Sequence, residues 1–281
     1  MRPHRVYDED RTPEQLREHY DVEKELARRL REASRQERRL LYSAVYDELF
    51  HRVPHHPQLT RKASPAESEQ AVQAQLRFLA PFLNETMTFL EVGPGDCALS
   101  LAVASRVGRA YAVDVSHEIT KGLTLPANFK LILSDGSSIP LPAGSVDLVY
   151  SNGLMEHLHP DDAIEQLRNI YNVLAPGARY MCCTPHRITG PHDISAHFDD
   201  VASGFHLREY SVGELEDLFL RVGFSKVQLL LGGRGMYAIA PTRFTIHAER
   251  LLGRLQPRTA RSLAARLPLK LLFALRMVGT K

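Results

Sequence analysis

Apolar residues in this chain follow one spacing up to about residue 85 and a different one after it. In the first part the spacing is helical. Thr12 ahead of Pro13 and Glu14 supplies a capping hydroxyl, a proline for the first turn and an acid beside the positive end of the helix dipole, predicting a charge-rich helix over about 13–32. Ser34 and Glu37 form a capping box for a second helix, to about residue 53, whose Leu40, Leu41, Val45, Tyr46, Leu49 and Phe50 recur at helical spacing and must pack on something. Pro54, His55, His56 and Pro57 end it, and a third helix over about 65–83 carries Val72, Leu76 and Leu79.

Beyond residue 85 short apolar runs take over, at 88–92, 109–113, 129–133, 146–150 and 178–183, alternating with helical stretches that begin near Asp96, Ser116 and Pro160. Such alternation predicts a mostly parallel sheet with helices on both faces. Ser211 and Glu214 cap one more helix, to about Val222. The runs 226–231 and 236–240 are joined by only four residues, too few for a parallel crossover, so they predict an antiparallel hairpin closing the sheet.

At 281 residues, 44% hydrophobic and 24% charged, the chain can bury a large core, and a net charge of +2 gives no overall basic field for nucleic acid. The charge is unevenly spread: residues 241–281 hold nine Lys/Arg and one Glu. There Arg243, His247, Arg250, Arg254, Arg258 and Arg261 recur every three or four residues beside an apolar side of Phe244, Leu251, Leu252 and Leu255, and 267–278 is apolar apart from Lys270 and Arg276. This tail is expected to be an amphipathic helical segment. Two placements are open: peripheral contact with an anionic membrane surface, or, the favoured one, docking of its apolar side on the N-terminal helices. Residues 1–21 are charged throughout, unlike a secretory signal, and no apolar run reaches the ~18 residues of a membrane span. Cys97, Cys182 and Cys183 have no metal-finger spacing, and strand neighbours 182 and 183 point to opposite faces, so a reduced, cytoplasmic protein is expected. The N-terminal helices read as a lid or as the arm of a homodimer.

Candidate chemistry gathers where the predicted strands end: Gly93-Pro94-Gly95, Asp114, Asp135-Gly136 and Ser151-Asn152-Gly153. Ligands of open parallel sheets bind at that edge, and glycine lets them approach bare backbone. The glycine turn with Asp114 about 20 residues on also fits a dinucleotide fingerprint, which keeps an NAD(P)-dependent oxidoreductase open. Glu91 argues against it: a carboxylate two positions before the first glycine repels a pyrophosphate and suits a ligand carrying an ammonium and a sulfonium. After the fifth strand, residues 185–206 form a long irregular segment with His186, His192, His197, Asp199, Asp200 and His206. Loops of that length are commonly functional. Their spacing matches no common metal site, so a polar pocket without metal is the expectation, and His55 and His56 read as loop residues.

Taken in order, LEVGPGDC, AVDVS, LSDGSSIPLPAGSVDLVYSNGLMEHL, LAPGARYMCCTP and FHLREYS before RVGF resemble the class I S-adenosylmethionine-dependent methyltransferases of the small-molecule, type 11-like kind, over about residues 80–240. The resemblance implies an α/β, Rossmann-like fold: a seven-stranded, mostly parallel sheet with an antiparallel last strand, here with an N-terminal helical extension. The expected divisions are a helical extension or lid at 1–79, a methyltransferase core at 80–240 with an acceptor-pocket segment at 185–210, and a basic amphipathic helical tail at 241–281. S-adenosyl-L-methionine is the implied cofactor and a small molecule the implied acceptor, with O-methylation of a sugar, lipid-linked or secondary-metabolite hydroxyl expected. A non-catalytic cofactor-binding scaffold is a further alternative. By the resemblance, Glu91, Gly93 and Gly95 serve the methionyl part, Asp114 with Val115 the ribose, Asp135 and Gly136 the adenine, and Ser151 and Asn152 the methyl being transferred. Cys97 stands where the family often has a third glycine. His157, His192 and His197 are the expected acceptor-side residues, His157 as base or positioning group. Strand four ends in Ser-Asn-Gly-Leu, not the motif of DNA amino-methylating enzymes, so no nucleic-acid partner is expected.

Overall fold

The computed structural model describes residues 11–60, 64–115, 125–233, 236–266 and 269–281; the short helix expected over 116–123 lies outside them. The chain opens with helices α1 (Pro13–Glu32), α2 (Arg35–Arg52), the single turn α3 (Pro57–Thr60) and α4 (Pro65–Leu79). The three long ones each start on a capping box, Thr12 with Gln15, Ser34 with Glu37 and Ser64 with Glu67, which satisfies otherwise orphaned N–H groups. There follow β1 (Thr88–Val92), α5 (Ala98–Ala104), β2 (Arg109–Asp114), β3 (Phe129–Leu133), β4 (Val146–Asn152), α6 (Pro160–Val173), β5 (Leu174–Cys183), α7 (Val212–Val222), β6 (Lys226–Gly233) and β7 (Met236–Ala240). The remainder is α8 (Thr242–Leu252), α9 (Pro257–Ala264), α10 (Leu269–Leu272) and β8 (Arg276–Thr280).

All eight strands form one sheet, in the order β3-β2-β1-β4-β5-β8-β6-β7. β1 to β5 pair in parallel, and β8 runs antiparallel to both of its neighbours, β5 and β6. The mostly parallel α/β architecture is therefore as expected, with two corrections. Among the described residues there are eight strands where seven were expected. The antiparallel strand inserted beside β5 is the end of the chain, inside the stretch expected to be a helical tail, while the 226–240 hairpin occupies the far edge.

The reason lies in the side chains. Met277 and Val278 enter the cores on opposite faces of the sheet, as alternate strand residues do. Gly279 lets the strand pass under α7, since a Cβ there would lie 2.7 Å from both Phe219 and Phe224. Lys281 then donates to the carbonyls of Tyr171 and Leu174, each at 2.7 Å, where the dipole of α6 favours a cation. The end of what reads as an apolar helical run is thus, after the turn α10, a buried strand with a capping lysine. Cys182 and Cys183 likewise fall in different cores and remain free thiols.

One core lies between the sheet and α6 and α7, the other between the sheet and α4 and α5. α1 and α2 pair through Leu26, Leu30, Val45 and Leu49 and take in Phe205 from the irregular segment. Arg38 fastens α2 to the start of α6 through a buried bidentate pair with Asp162 at 2.6 and 2.8 Å, joined by the Tyr42 hydroxyl at 2.7 Å. The tail does not dock on these helices as favoured. α8 packs on α7, burying Thr242, Thr245, Glu249 and Leu252 and turning Phe244 and Leu251 outward. Glu249 explains the inversion: it accepts from the N–H of Val212 at the start of α7 and pairs with the buried His186.

Candidate cofactor cleft and acceptor cavity

Beyond the end of β1, Gly93 and Gly95 both adopt positive φ, 69° and 59°. At Gly95 nothing lies within 4 Å of where a Cβ would be, so its backbone faces open space. Cys97 also has positive φ, 60°, directly before α5, and is fully buried. A side chain in that conformation costs about 1–2 kcal/mol, which accounts for glycine being common there, and packing of the thiol into the core offsets it.

The turn opens on a cleft of about 310 Å³ lined by Glu91, Gly93, Pro94, Gly95, Asp96 and Asn152 from the sheet side and by Glu67, Ser68, Ala71, Val72 and Gln75 from α4. Glu91 is buried, and burial, with Asp96 adding to it, pushes its carboxyl up to about 8 against the opposing hydrogen bond from Ser100 Oγ, 2.5 Å away. Asp114 ends β2 and accepts the N–H of Val115 at 2.7 Å, and Val115 is itself exposed. Burial opposes ionisation of Asp135, yet the N–H groups of Ser138 and Ser137 and the Arg39 guanidinium outweigh it and hold the carboxyl down to about 2. That carboxylate organises the Asp135-Gly136 loop. Ser151 turns its hydroxyl into the core, onto Tyr180 at 2.7 Å, so its neighbour Asn152 provides the side chain at this end of the cleft.

A second cavity of about 410 Å³ collects six histidines, His19, His56, His157, His192, His197 and His206, together with Glu23, Tyr46, Asp193 and Phe205. The three acceptor-side histidines named from the sequence all line it. His157 Nδ1 faces the carbonyl of Phe205 at 3.1 Å, and burial pushes its pKa down, so the ring is neutral. Burial would do the same to His206, but the hydrogen bond to Glu209 at 2.8 Å and the charges of Glu156 and Asp193 raise it. Glu209, accepting from His192 and His206, is held down to about 2 despite burial. His186 is elsewhere, locked under α8, and Asp199 and Asp200 bind Tyr20 and Arg261 outside the cavity. Sequence reasoning missed His19, Glu23, Tyr46 and His56. The signal within reach was His19 and Glu23, one turn apart on a single helix face, joined at 2.8 Å.

A family model described as a methyltransferase domain matches residues 90–182, from β1 through the glycine turn into β5. A probable S-adenosylmethionine-dependent methyltransferase of Mycolicibacterium smegmatis is 35% identical over 88 residues, 31% of this chain and 32% of that protein. Over this stretch the chain is similar to S-adenosylmethionine-dependent methyltransferases. A probable methyltransferase of the same kind from Mycobacterium tuberculosis is 34% identical over 93 residues, 33% of this chain and 32% of that protein. The chain thus aligns with about a third of the length of these curated relatives. A chain of the Haloferax volcanii complex between the Trm112 methyltransferase activator and a candidate methyltransferase is 18% identical, with a TM-score of 0.51 over 76% of this chain and 93% of its own. That likeness shows a shared fold that reaches beyond residues 90–182. Among the described residues no helix is long and apolar enough to cross a membrane.

Proposed function

We propose that the chain transfers the methyl group of S-adenosylmethionine to a hydroxyl of a small molecule held in the histidine-lined cavity. The observation that carries this reading is the junction after β4: Asn152 lines the cofactor cleft, and His157, five residues on, lines the cavity. The sulfonium methyl is already activated, so alignment is the main task. The acceptor oxygen bonds to the methyl carbon as the C–S pair returns to sulfur, giving S-adenosylhomocysteine. A hydroxyl must also lose its proton. Neutral His157, with Nδ1 committed to the Phe205 carbonyl, has the Nε2 lone pair to take it, while His192 and His197 contact the acceptor. Glu91 with the glycine turn receives the methionyl ammonium, Asp114 and Val115 the ribose, and Asp135 and Gly136 the adenine. Calorimetric titration tests this against the oxidoreductase and scaffold readings. S-adenosylhomocysteine is expected to bind, and Asp114→Ala to abolish that binding. Binding of NADH alone overturns the proposal, and binding of neither leaves a scaffold.

The partner proposed beyond the acceptor is an anionic membrane surface under α8. The outward arc of that helix holds Phe244 and Leu251 on one side and Arg243, His247 and Arg250 on the other, the arrangement that lets apolar groups enter the interface while cations meet headgroups. An acceptor that is itself lipid-linked fits such a surface.

A further inference from the structure

Two trios of side chains able to ligate a metal border the acceptor cavity, His19 with Glu23 and His56, and Glu156 with His157 and His206; within each, one ligand atom per residue lies within 4.8 Å of the others. Their outer contacts separate them. In the first trio, His19 uses both ring nitrogens: Nδ1 meets the Arg11 guanidinium at 2.6 Å, which can only donate, and Nε2 meets Glu23 at 2.8 Å. A fixed cation already sits on that imidazole. In the second trio the contacts are those of metal ligands. His157 Nδ1 lies 3.1 Å from the carbonyl of Phe205 and His206 Nδ1 2.8 Å from the Glu209 carboxylate. The carbonyl and the carboxylate only accept, and the Tyr46 hydroxyl, 3.2 Å from His157 Nδ1, can accept as well, so with Nδ1 carrying the proton in each ring Nε2 is left to offer its lone pair, the tautomer that metal-bound histidines adopt. Glu156 is buried and steadied by the Thr184 hydroxyl at 2.9 Å. Each of the three groups is therefore aimed by a partner of its own.

We propose that Glu156, His157 and His206 bind a divalent first-row transition ion, with Zn²⁺ suiting the donor set, at the junction between the cofactor cleft and the acceptor cavity. Two imidazoles and one carboxylate on a four- to six-coordinate ion leave positions for water or an acceptor oxygen. Glu156 also borders the space lined by Asn152 and Gly153, which places the ion beside the end of β4. The ion's chemical role rests on the methyl-transfer reading; its binding does not. In that role it takes over from His157 the ionisation of the hydroxyl. An oxygen bound to zinc gives up its proton to solvent near neutral pH. The resulting alkoxide forms the O–CH₃ bond while the S–CH₃ bond breaks and its electron pair returns to sulfur, the ion keeping its oxidation state.

The test uses the full chain, stripped with a chelator and titrated with Co²⁺ followed by its visible d–d absorption, then with Zn²⁺ by calorimetry. One equivalent of tight binding is expected. His157→Ala and His206→Ala should each abolish the Co²⁺ spectrum while circular dichroism and S-adenosylhomocysteine binding stay as in the parent, which separates loss of the ion from loss of the fold. Glu209→Gln should weaken Zn²⁺ about 10–100-fold, the usual effect of removing an outer partner. Absence of binding by the parent chain overturns the proposal, as does a stoichiometry unchanged in both histidine variants or lost instead in His56→Ala. Should Co²⁺ bind as expected while S-adenosylhomocysteine does not, the metal site stands and the methyl-transfer reading falls.

Discussion

At the scale of single residues, the proposed ammonium partner Glu91 makes cofactor binding testable through its proton. Its carboxyl, ordinarily near 4.5, is pushed up to about 8, first by burial and then by Asp96, so at pH 7 the ligand-free protein holds it mostly protonated. An ammonium seated against it requires the carboxylate, so binding at pH 7 should expel close to one proton from this site. The release should fade as pH passes 8, where Glu91 is already ionised. Titration of S-adenosylhomocysteine in buffers of different ionisation enthalpy measures this, and Glu91→Gln should remove the Glu91 contribution; a release unchanged in that variant rules Glu91 out as the ammonium partner. The same shift fixes a stability trend. A carboxyl with a raised folded pKa favours the fold most below 4.5 and loses that contribution as pH climbs from about 4.5 to about 8. The ligand-free protein should therefore gain thermal stability from Glu91→Gln at pH 8 and gain little at pH 4. Cys97 belongs to this scale too. Its left-handed backbone was foreshadowed by its standing in a glycine position, but the core packing that sustains it has no signature in the local sequence.

At the scale of elements, the junction of α2 with α6 concentrates the energy that holds the N-terminal helices on the domain. Arg38 and Asp162 are both buried, and removing one partner of such a pair leaves the other charge stranded, at a cost of about 3–5 kcal/mol. Arg38→Ala should lower the unfolding free energy by that order in a denaturant titration, and the double replacement Arg38→Met with Asp162→Leu should recover most of it. A loss below about 1 kcal/mol in the single variant would show that the pair is not the anchor. The elements themselves were largely legible in the sequence because their signals are local: a hydroxyl three residues before a Glu at Ser34 and Ser211, and apolar runs ended by glycine or aspartate at β1, β2 and β3. β8 was not legible. Its five residues adjoin a helical turn in a run that keeps apolar character throughout, and its place between β5 and β6 depends on Gly279 meeting Phe219 and Phe224, a contact across more than fifty residues of chain.

At the scale of the whole molecule, the two ends of the chain complete what the central domain begins. Alternation of strands and helices pointed to the candidate cofactor cleft, because Gly93, Asp114, Asp135 and Asn152 all lie at or just past the ends of strands of one sheet. The candidate acceptor cavity draws on α1, α2, the turn after β4 and the segment after β5, and no periodicity links residues 19, 56, 157, 192 and 206. The far end of the chain has the opposite design: β8 secures the tail in the sheet, and α8, anchored by Glu249, shows solvent a face on which Phe244 is 62% and Leu251 50% exposed beside Arg243 and Arg250. Burying two such side chains contributes about 1.5–3 kcal/mol each, and each arginine near an anionic surface about 1 kcal/mol more, enough for reversible attachment. The intact chain should therefore float with vesicles containing phosphatidylserine and stay behind with purely zwitterionic ones, and added salt should reverse the difference as screening removes the arginine contribution. Phe244→Asp with Leu251→Asp should abolish flotation with S-adenosylhomocysteine binding intact, since neither residue touches the cleft or a core. Equal flotation of this variant and the parent, or equal binding to both kinds of vesicle, would show that α8 is an ordinary solvated helix and that the acceptor reaches the cavity from solution.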